Sequence, residues 1–160
     1  MARKIGSEMS EAAHKLLNLH NSERKNIVIP LLTPDELGYP RVCLLSPHQV
    51  IATERREFLL LVYEKSKTSA NLLRVRKGTL IIGRPPAIEY INGVVELFDS
   101  SRAFPELGEN LLFRMTIEEA IEDYSADAVI TSNVTYDQTK ILERYDRGFQ
   151  EVLHILEGRK

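Results

Sequence analysis

Ser66, Lys67, Thr68 and Ser69 stand together where an apolar run, residues 58–63, gives way to a short basic segment. Hydroxyls and an ammonium at the opening of a helix suit an anion. The first N–H groups of a helix lack intrahelical partners, the helix dipole favours negative charge there, and the side chains add donors. A phosphate monoester, with a charge of about −1.5 to −2 near neutral pH, is a group that such a turn can hold. The same residues have an ordinary use, because Ser and Thr cap helices. On local chemistry alone the cap is the commoner use.

Other chemistry is sparse. His14, His20, His48 and His154 lie far apart and show no metal-ligand spacing. Glu118, Glu119, Glu122 and Asp123 form an acidic run, which reads as a solvated face. There is no Gly-x-Ser-x-Gly, no Walker loop and no Gly-x-Gly-x-x-Gly. The single cysteine, Cys43, excludes an intramolecular disulfide and reads as an inert buried thiol in a strand.

The elements that must position the 66–69 turn are mostly strands. Short apolar runs at 41–45, 49–53, 58–63 and 79–82 precede a longer one at 88–98, and 83–86, with two prolines, breaks the ladder between the last two. The 58–63 run is apolar at every position, the pattern of a strand buried on both faces. A helix is expected over about 70–77, with Gly78 where a terminating glycine belongs. A first helix is expected over about 8–19. Residues 27–29 form a short apolar run that Pro30 and Pro34 keep from extending. Residues 99–110 read as a loop, 112–124 as a long bent strand and 128–134 as a β-branched strand. A closing helix is expected over 137–157, with Ile141, Tyr145, Phe149, Val152, Leu153 and Leu156 on one face.

Taken in order, these pieces resemble the FMN-binding split-barrel superfamily, that of pyridoxamine 5'-phosphate oxidase and its related flavoproteins. The apolar strand leads into Ser66-Lys67-Thr68, then Asn71-Leu72, a strand at 78–82 and a longer one at 89–98 around Gly93. Upstream, Arg41-Val42-Cys43-Leu44-Leu45-Ser46 is similar to the family's Arg-x-Val-Leu-Leu-Lys strand. The resemblance covers residues 39–98.

It implies a mainly β fold, a six-stranded antiparallel split β-barrel with flanking helices, to which the sequence adds a long C-terminal amphipathic helix. One domain is expected, with the N-terminal helix in 1–20, the barrel in 40–135 and the last helix in 137–157. It also implies FMN as cofactor, in a groove between the chains of a homodimer. Ser66, Lys67, Thr68, Ser69 and Asn71 would hold the phosphate or ribityl end. Arg41 and the strand residues Val42, Cys43, Leu44, Leu61 and Val62 would lie along the flavin, largely through their backbone. Glu89 and Tyr90 fall near a position that offers the flavin a polar group.

The implied activity is an FMN-dependent oxidoreductase acting on a small molecule. Two departures weaken the phosphate site: Thr68 and Ser46 stand where the family often carries lysine. The chain also lacks tryptophan, which the oxidase's C-terminal substrate segment contains. The other readings are a flavin store or interaction module without turnover, and a relative binding haem or a deazaflavin.

The 160 residues carry a net charge of −2 and no long run of one sign, which disfavours nucleic acid or a membrane surface as partner. No apolar run is long enough to cross a bilayer, and the first residues lack the apolar stretch of a secretory signal. The expectation is a cytoplasmic protein.

Overall fold

The computed structural model of the chain describes residues 1–21, 26–99, 108–137, 139 and 142–158. The elements run β1 (Ala2–Gly6), α1 (Glu11–Leu17), β2 (Ile29–Pro34), β3 (Pro40–Leu45), β4 (Val50–Glu54), β5 (Glu57–Tyr63), α2 (Lys67–Val75), β6 (Lys77–Arg84), β7 (Ala87–Asp99), β8 (Asn110–Asp123) and α3 (Leu142–Glu157). The strands form one eight-stranded sheet rather than the six strands expected. Its order is β3-β2-β6-β7-β8-β5-β4, with β1 on the far end of β8.

Connectivity forces this sheet to curl. The edge strands β3 and β4 follow each other through residues 46–49 alone. A link that short reaches about 17 Å at most. A flat row of the same strands would hold its edges about 29 Å apart at ~4.8 Å per strand. The edges therefore face each other, and the concave side closes around one core that includes Leu31, Leu45, Phe58, Leu60, Leu80 and Phe113. Met9 with Ala13 and Leu17 of α1 enters this core, as does Leu72 of α2.

The 58–63 run is buried on both faces, as its composition predicts. Phe58, Leu60 and Val62 point into the barrel. Leu59 and Leu61 point outward, beside Ile51 and Leu112, and α3 covers them with Phe149, Val152 and Ile155. Full burial of such a side chain contributes about 1.5–3 kcal/mol. The long strand expected at 112–124 is present as β8.

Several expectations change. β1 was not foreseen, and α1 begins only at Glu11, where the Ser10 hydroxyl accepts from the Ala13 N–H at 3.1 Å. β2 extends through both prolines. Pro30 and Pro34 flank the short stretch, Leu31–Leu32, that pairs with β6, and a strand tolerates proline where it lacks a second neighbour. Residues 128–134 are not a strand. The Val28 N–H bonds Val134 O at 2.8 Å and Thr135 just beyond forms an isolated bridge with Ile27, but no ladder follows, and the β-branched side chains at Val129 and Val134 stay exposed. β-branched composition makes no strand without a neighbouring ladder. α3 starts at Leu142, since Asp137 and Thr139 instead form a turn closed by the Thr139 N–H on the Asp137 carboxylate at 2.9 Å. Residues 100–107 of the expected loop, Ile141 and the Tyr145 side chain lie outside the described residues.

The acidic run on β8 is not simply solvated. Arg3 of β1 pairs with Glu122 at 3.0 Å and Lys4 with Glu119 at 3.0 Å, and Arg84 also reaches Glu122. Among the described residues no helix is long and apolar enough to cross a membrane.

Gly93 sits at a bulge between β7 and β8. A Cβ there would lie 2.5 Å from the Thr116 carbonyl oxygen and 2.9 Å from Met115 Cε. At Gly78 the nearest atom is Leu31 Cδ1 at 3.2 Å, a side-chain methyl that can move. Gly93→Ala is therefore expected to lower stability by about 1–3 kcal/mol in urea unfolding, and Gly78→Ala by clearly less. Equal losses at the two glycines would show that the bulge is not the rigid point.

Candidate functional site

Helix α2 begins because Ser66 can cap it. Ser66 is extended (φ −81°, ψ 152°), and its hydroxyl accepts from the Ser69 N–H at 3.0 Å. The helix stops at Arg76, which is left-handed (φ 56°, ψ 31°) and donates its N–H to Leu72 O at 3.0 Å. Gly78, the expected terminator, instead lies inside β6 beneath Leu31 and Leu72. Left-handed backbone costs a non-glycine residue about 1–2 kcal/mol. The helix-closing bond and a second one, from the Val95 N–H to Arg76 O at 2.9 Å, hold it there.

The polar residues of α2 mostly face the barrel. Ser69 is fully buried and donates its hydroxyl to Tyr63 O at 2.7 Å. Thr68 is buried, and its hydroxyl lies beside the Cys43 thiol on β3, where it works against the upward push of burial on the thiol's pKa. Asn71 is buried and donates from Nδ2 to Thr33 Oγ1 on β2 at 3.1 Å. Arg74 reaches Pro34 O at 2.8 Å. Outside the fold's own bonds stand the exposed Lys67 ammonium and the Lys67 and Thr68 N–H groups, which have no acceptor among the described residues. Lys65 is engaged, since Glu109 lies 3.4 Å away and the bond to its carboxylate holds the lysine's pKa above the usual range.

β3 runs along the Thr68 side of this turn. Arg41 is exposed, with no ion pair among the described residues. Val42 and Leu44 point outward and are 56% and 66% exposed, while Cys43 turns toward α2 and Leu45 into the core. Burial pushes the Cys43 thiol above the usual range, and the Thr68 hydroxyl partly opposes this. After β3 the chain turns through the buried Ser46 and His48. Gln49 pins the turn, accepting from the Ser46 N–H at 3.1 Å and donating to Leu61 O at 3.4 Å. The Leu61 N–H bonds Gln49 O at 2.9 Å, the Leu61 side chain lies under α3, and Val62 is in the core.

Glu89 lies elsewhere. It is fully buried, accepts from the Ser10 N–H at 2.8 Å and pairs with Arg84 at 3.2 Å. It is five residues along β7 from Val94, the partner of Lys77 just beyond α2, so about 17 Å separates it from that end at ~3.3 Å per residue. The resemblance implies a polar contact to a flavin from Glu89 or Tyr90; in this chain the Glu89 carboxylate is committed to Ser10 and Arg84. Sequence reasoning also passed over a groove of about 390 Å³ on the outer sheet face, lined by Leu32, Pro34, Pro40, Lys77, Thr79 and Asn92. Only the pairing of β2, β6 and β7 brings these residues together.

The arrangement can hold one anionic group at the first turn of α2. Two backbone N–H groups and the Lys67 ammonium are the available donors, and Arg41 is the nearby uncommitted cation on β3. These donors fit a phosphate; the Ser66 and Ser69 hydroxyls are bonded within the fold. Among the described residues no cluster of His, Cys, Asp and Glu could hold a metal ion.

The fold is shared with solved structures. A candidate pyridoxamine 5'-phosphate oxidase from Lactobacillus delbrueckii aligns over 74% of this chain and 98% of its own, at 18% identity and a TM-score of 0.59. The fold is the split barrel of the pyridoxamine 5'-phosphate oxidase-like proteins. The conserved hypothetical protein Rv2991 from Mycobacterium tuberculosis shares this split barrel over 86% of this chain and 99% of its own, at 16% identity and a TM-score of 0.55. An F420 reductase shares it over 70% and 98%, at 13% identity and a TM-score of 0.53. These identities establish likeness of fold. No protein-family model and no curated protein sequence matches the chain.

Two results would check the division between structural and available groups on α2. Asn71→Ala is expected to cost about 1–3 kcal/mol, because it strands Thr33 in the interior. Lys67→Ala is expected to stay within about 0.5 kcal/mol of the parent in thermal unfolding. Cys43 should alkylate with a pH midpoint above that of free cysteine. Thr68→Val should raise the midpoint further, since it removes a donor to the thiolate. A midpoint that falls would remove the Thr68–Cys43 contact from the description.

Proposed function

We propose that this chain is a flavin-binding split-barrel protein that takes FMN by its phosphate at the first turn of α2. The observation that carries the reading is the exposed Lys67 with two N–H groups that have no partner among the described residues, beside a strand that turns Val42 and Leu44 outward. The N–H groups and the ammonium bind the phosphate through charge-assisted bonds. Arg41 lies on the same strand as the outward valine and leucine, where its guanidinium meets either the phosphate or the polar edge of the ring. The apolar face of β3 offers the ring a surface, with backbone from β3 and the end of β5 beside it.

The pocket is completed by a second copy. Leu37 and Tyr39, on the turn before β3, are 82% and 67% exposed, and with Val42 and Leu44 they form an apolar edge. Exposed apolar surface of this kind marks an interface. Bound flavin would supply hydride or electron transfer, and the protein's own residues would bind, orient and shield it. No acid–base side chain is required of the protein for that. The reaction proposed is an oxidoreduction of a small molecule. A deazaflavin with its own phosphate is the second reading, supported by the fold shared with a protein named as an F420 reductase.

Titration with FMN, followed by flavin fluorescence, tests the reading. Binding is expected, and Lys67→Ala should weaken it tenfold or more, about 1.4 kcal/mol. Ser66→Ala is the wrong companion, since loss of the cap alone costs about 1 kcal/mol of stability. Light scattering should give a dimer at micromolar concentration. A protein that ignores FMN would remove the reading and favour an interaction module, whereas FMN affinity that survives Lys67→Ala would remove the phosphate assignment at the first turn of α2.

A further inference from the structure

The groove on the outer sheet face holds two charges that the fold leaves unused. Its volume is about 390 Å³, and Leu32, Pro34 and Pro40 give it an apolar side. Small-molecule sites have this size and this lining, apolar with a few polar groups that fix orientation. Thr79 and Asn92 are already bonded within the sheet. The Thr79 hydroxyl donates to Asn92 Oδ1 at 2.7 Å, Asn92 Nδ2 donates to Glu119 at 3.2 Å, and Glu119 pairs with Lys4. Lys77 on one side and Glu118 on the other are exposed, and neither has an ion pair among the described residues.

The strand register sets Glu118 apart. Its neighbours on β8, Glu119 and Glu122, each meet a cation. Asn92 pairs with Glu119 and Gly93 with Ile117, so Glu118 is the extra residue of a bulge and has no partner on β7. A bulge re-aims a side chain and recurs beside functional sites. Gly93 permits this one, since a Cβ there would strike the Thr116 carbonyl. Both Glu118 and Gly93 line the groove.

We propose that the groove binds a zwitterion with an apolar body, its carboxylate on Lys77 and its ammonium on Glu118. Strand spacing sets the ligand's length. Lys77 is level with Val94 and Thr116, so Glu118 lies two strands across and two residues along. That puts the two Cα atoms about 12 Å apart at ~4.8 Å per strand and ~3.3 Å per residue. Once both side chains lean in, the gap suits the separated charges of an ω-amino acid or a dipeptide. The adjacent charges of an α-amino acid fit it less well. The inference goes beyond the flavin reading and does not depend on it. Leu32 lines the groove and is the cross-strand partner of Val42. A bound zwitterion would therefore lie next to the surface proposed for the ring.

Calorimetry on the full-length chain, without FMN, tests this. The probes are 6-aminohexanoate, and hexanoate and hexylamine, each of which lacks one of its charges. The parent should bind 6-aminohexanoate at least about fivefold more tightly than either, the scale of one exposed ion pair. Glu118→Gln should erase the preference over hexanoate, and Lys77→Met the preference over hexylamine. Both side chains are exposed, so neither change should disturb folding. A general loss of structure would weaken all three probes alike and would not give this crossed pattern. Equal affinity for the three probes, no binding, or a preference that survives Glu118→Gln overturns the proposal. No binding together with a smaller dimer fraction in either variant, by light scattering, would assign the two charges to a second copy. Because FMN is absent, failure here leaves the flavin reading to its own titration.

Discussion

The seating of α2 across the open side of the barrel is the constraint on which the rest depends. A sheet whose edge strands are joined by residues 46–49 must curl, yet β3 and β4 do not pair. The interior next to β3 needs a cover, and α2 provides it. Leu72 fills the core, Asn71 bonds Thr33, and Ser69 bonds the last carbonyl of β5. Each of these polar groups is buried, so each would carry a desolvation penalty without its partner. The lock is specific because it is polar. Leucines in those places would cover the core without fixing the helix register.

That lock also decides what α2 can offer a ligand. A hydroxyl that satisfies a buried acceptor does not face solvent. The helix therefore presents its dipole, its first N–H groups and Lys67, and little else. In the proposed phosphate site, recognition rests on backbone geometry more than on side-chain number. Backbone donors persist whatever the side chains are, so Thr68 need not be lysine for the turn to attract an anion.

The outer layer follows a related logic. Because β5 is apolar on both faces, its outward side chains need a cover, and α3 provides one. The cover lies beside the same strand end that leads into α2, so the last helix and the candidate site share β5 as their common wall. Elsewhere burial is polar. Glu89 holds the start of α1 against the β6–β7 hairpin through Ser10 and Arg84, which is why a carboxylate near the start of β7 is fully enclosed.

The sequence by itself determined the local periodicities. It showed the two-faced burial of β5, the long β8, the amphipathic α3 and the Ser66 turn, because apolar spacing and capping chemistry act over a few residues. The order of those pieces was enough to point to a split barrel. Tertiary structure alone decided which way Ser69, Thr68 and Glu89 face, since each is bonded to a group distant in the fold or turned by the strand beneath it. It also decided that residues 128–134 form no strand, because a strand requires a neighbour and not only β-branched side chains. β1, too, was invisible until β8 supplied an edge and carboxylates for Arg3 and Lys4. Local spacing reports what a segment can become, while the partners that settle what it is lie far along the chain.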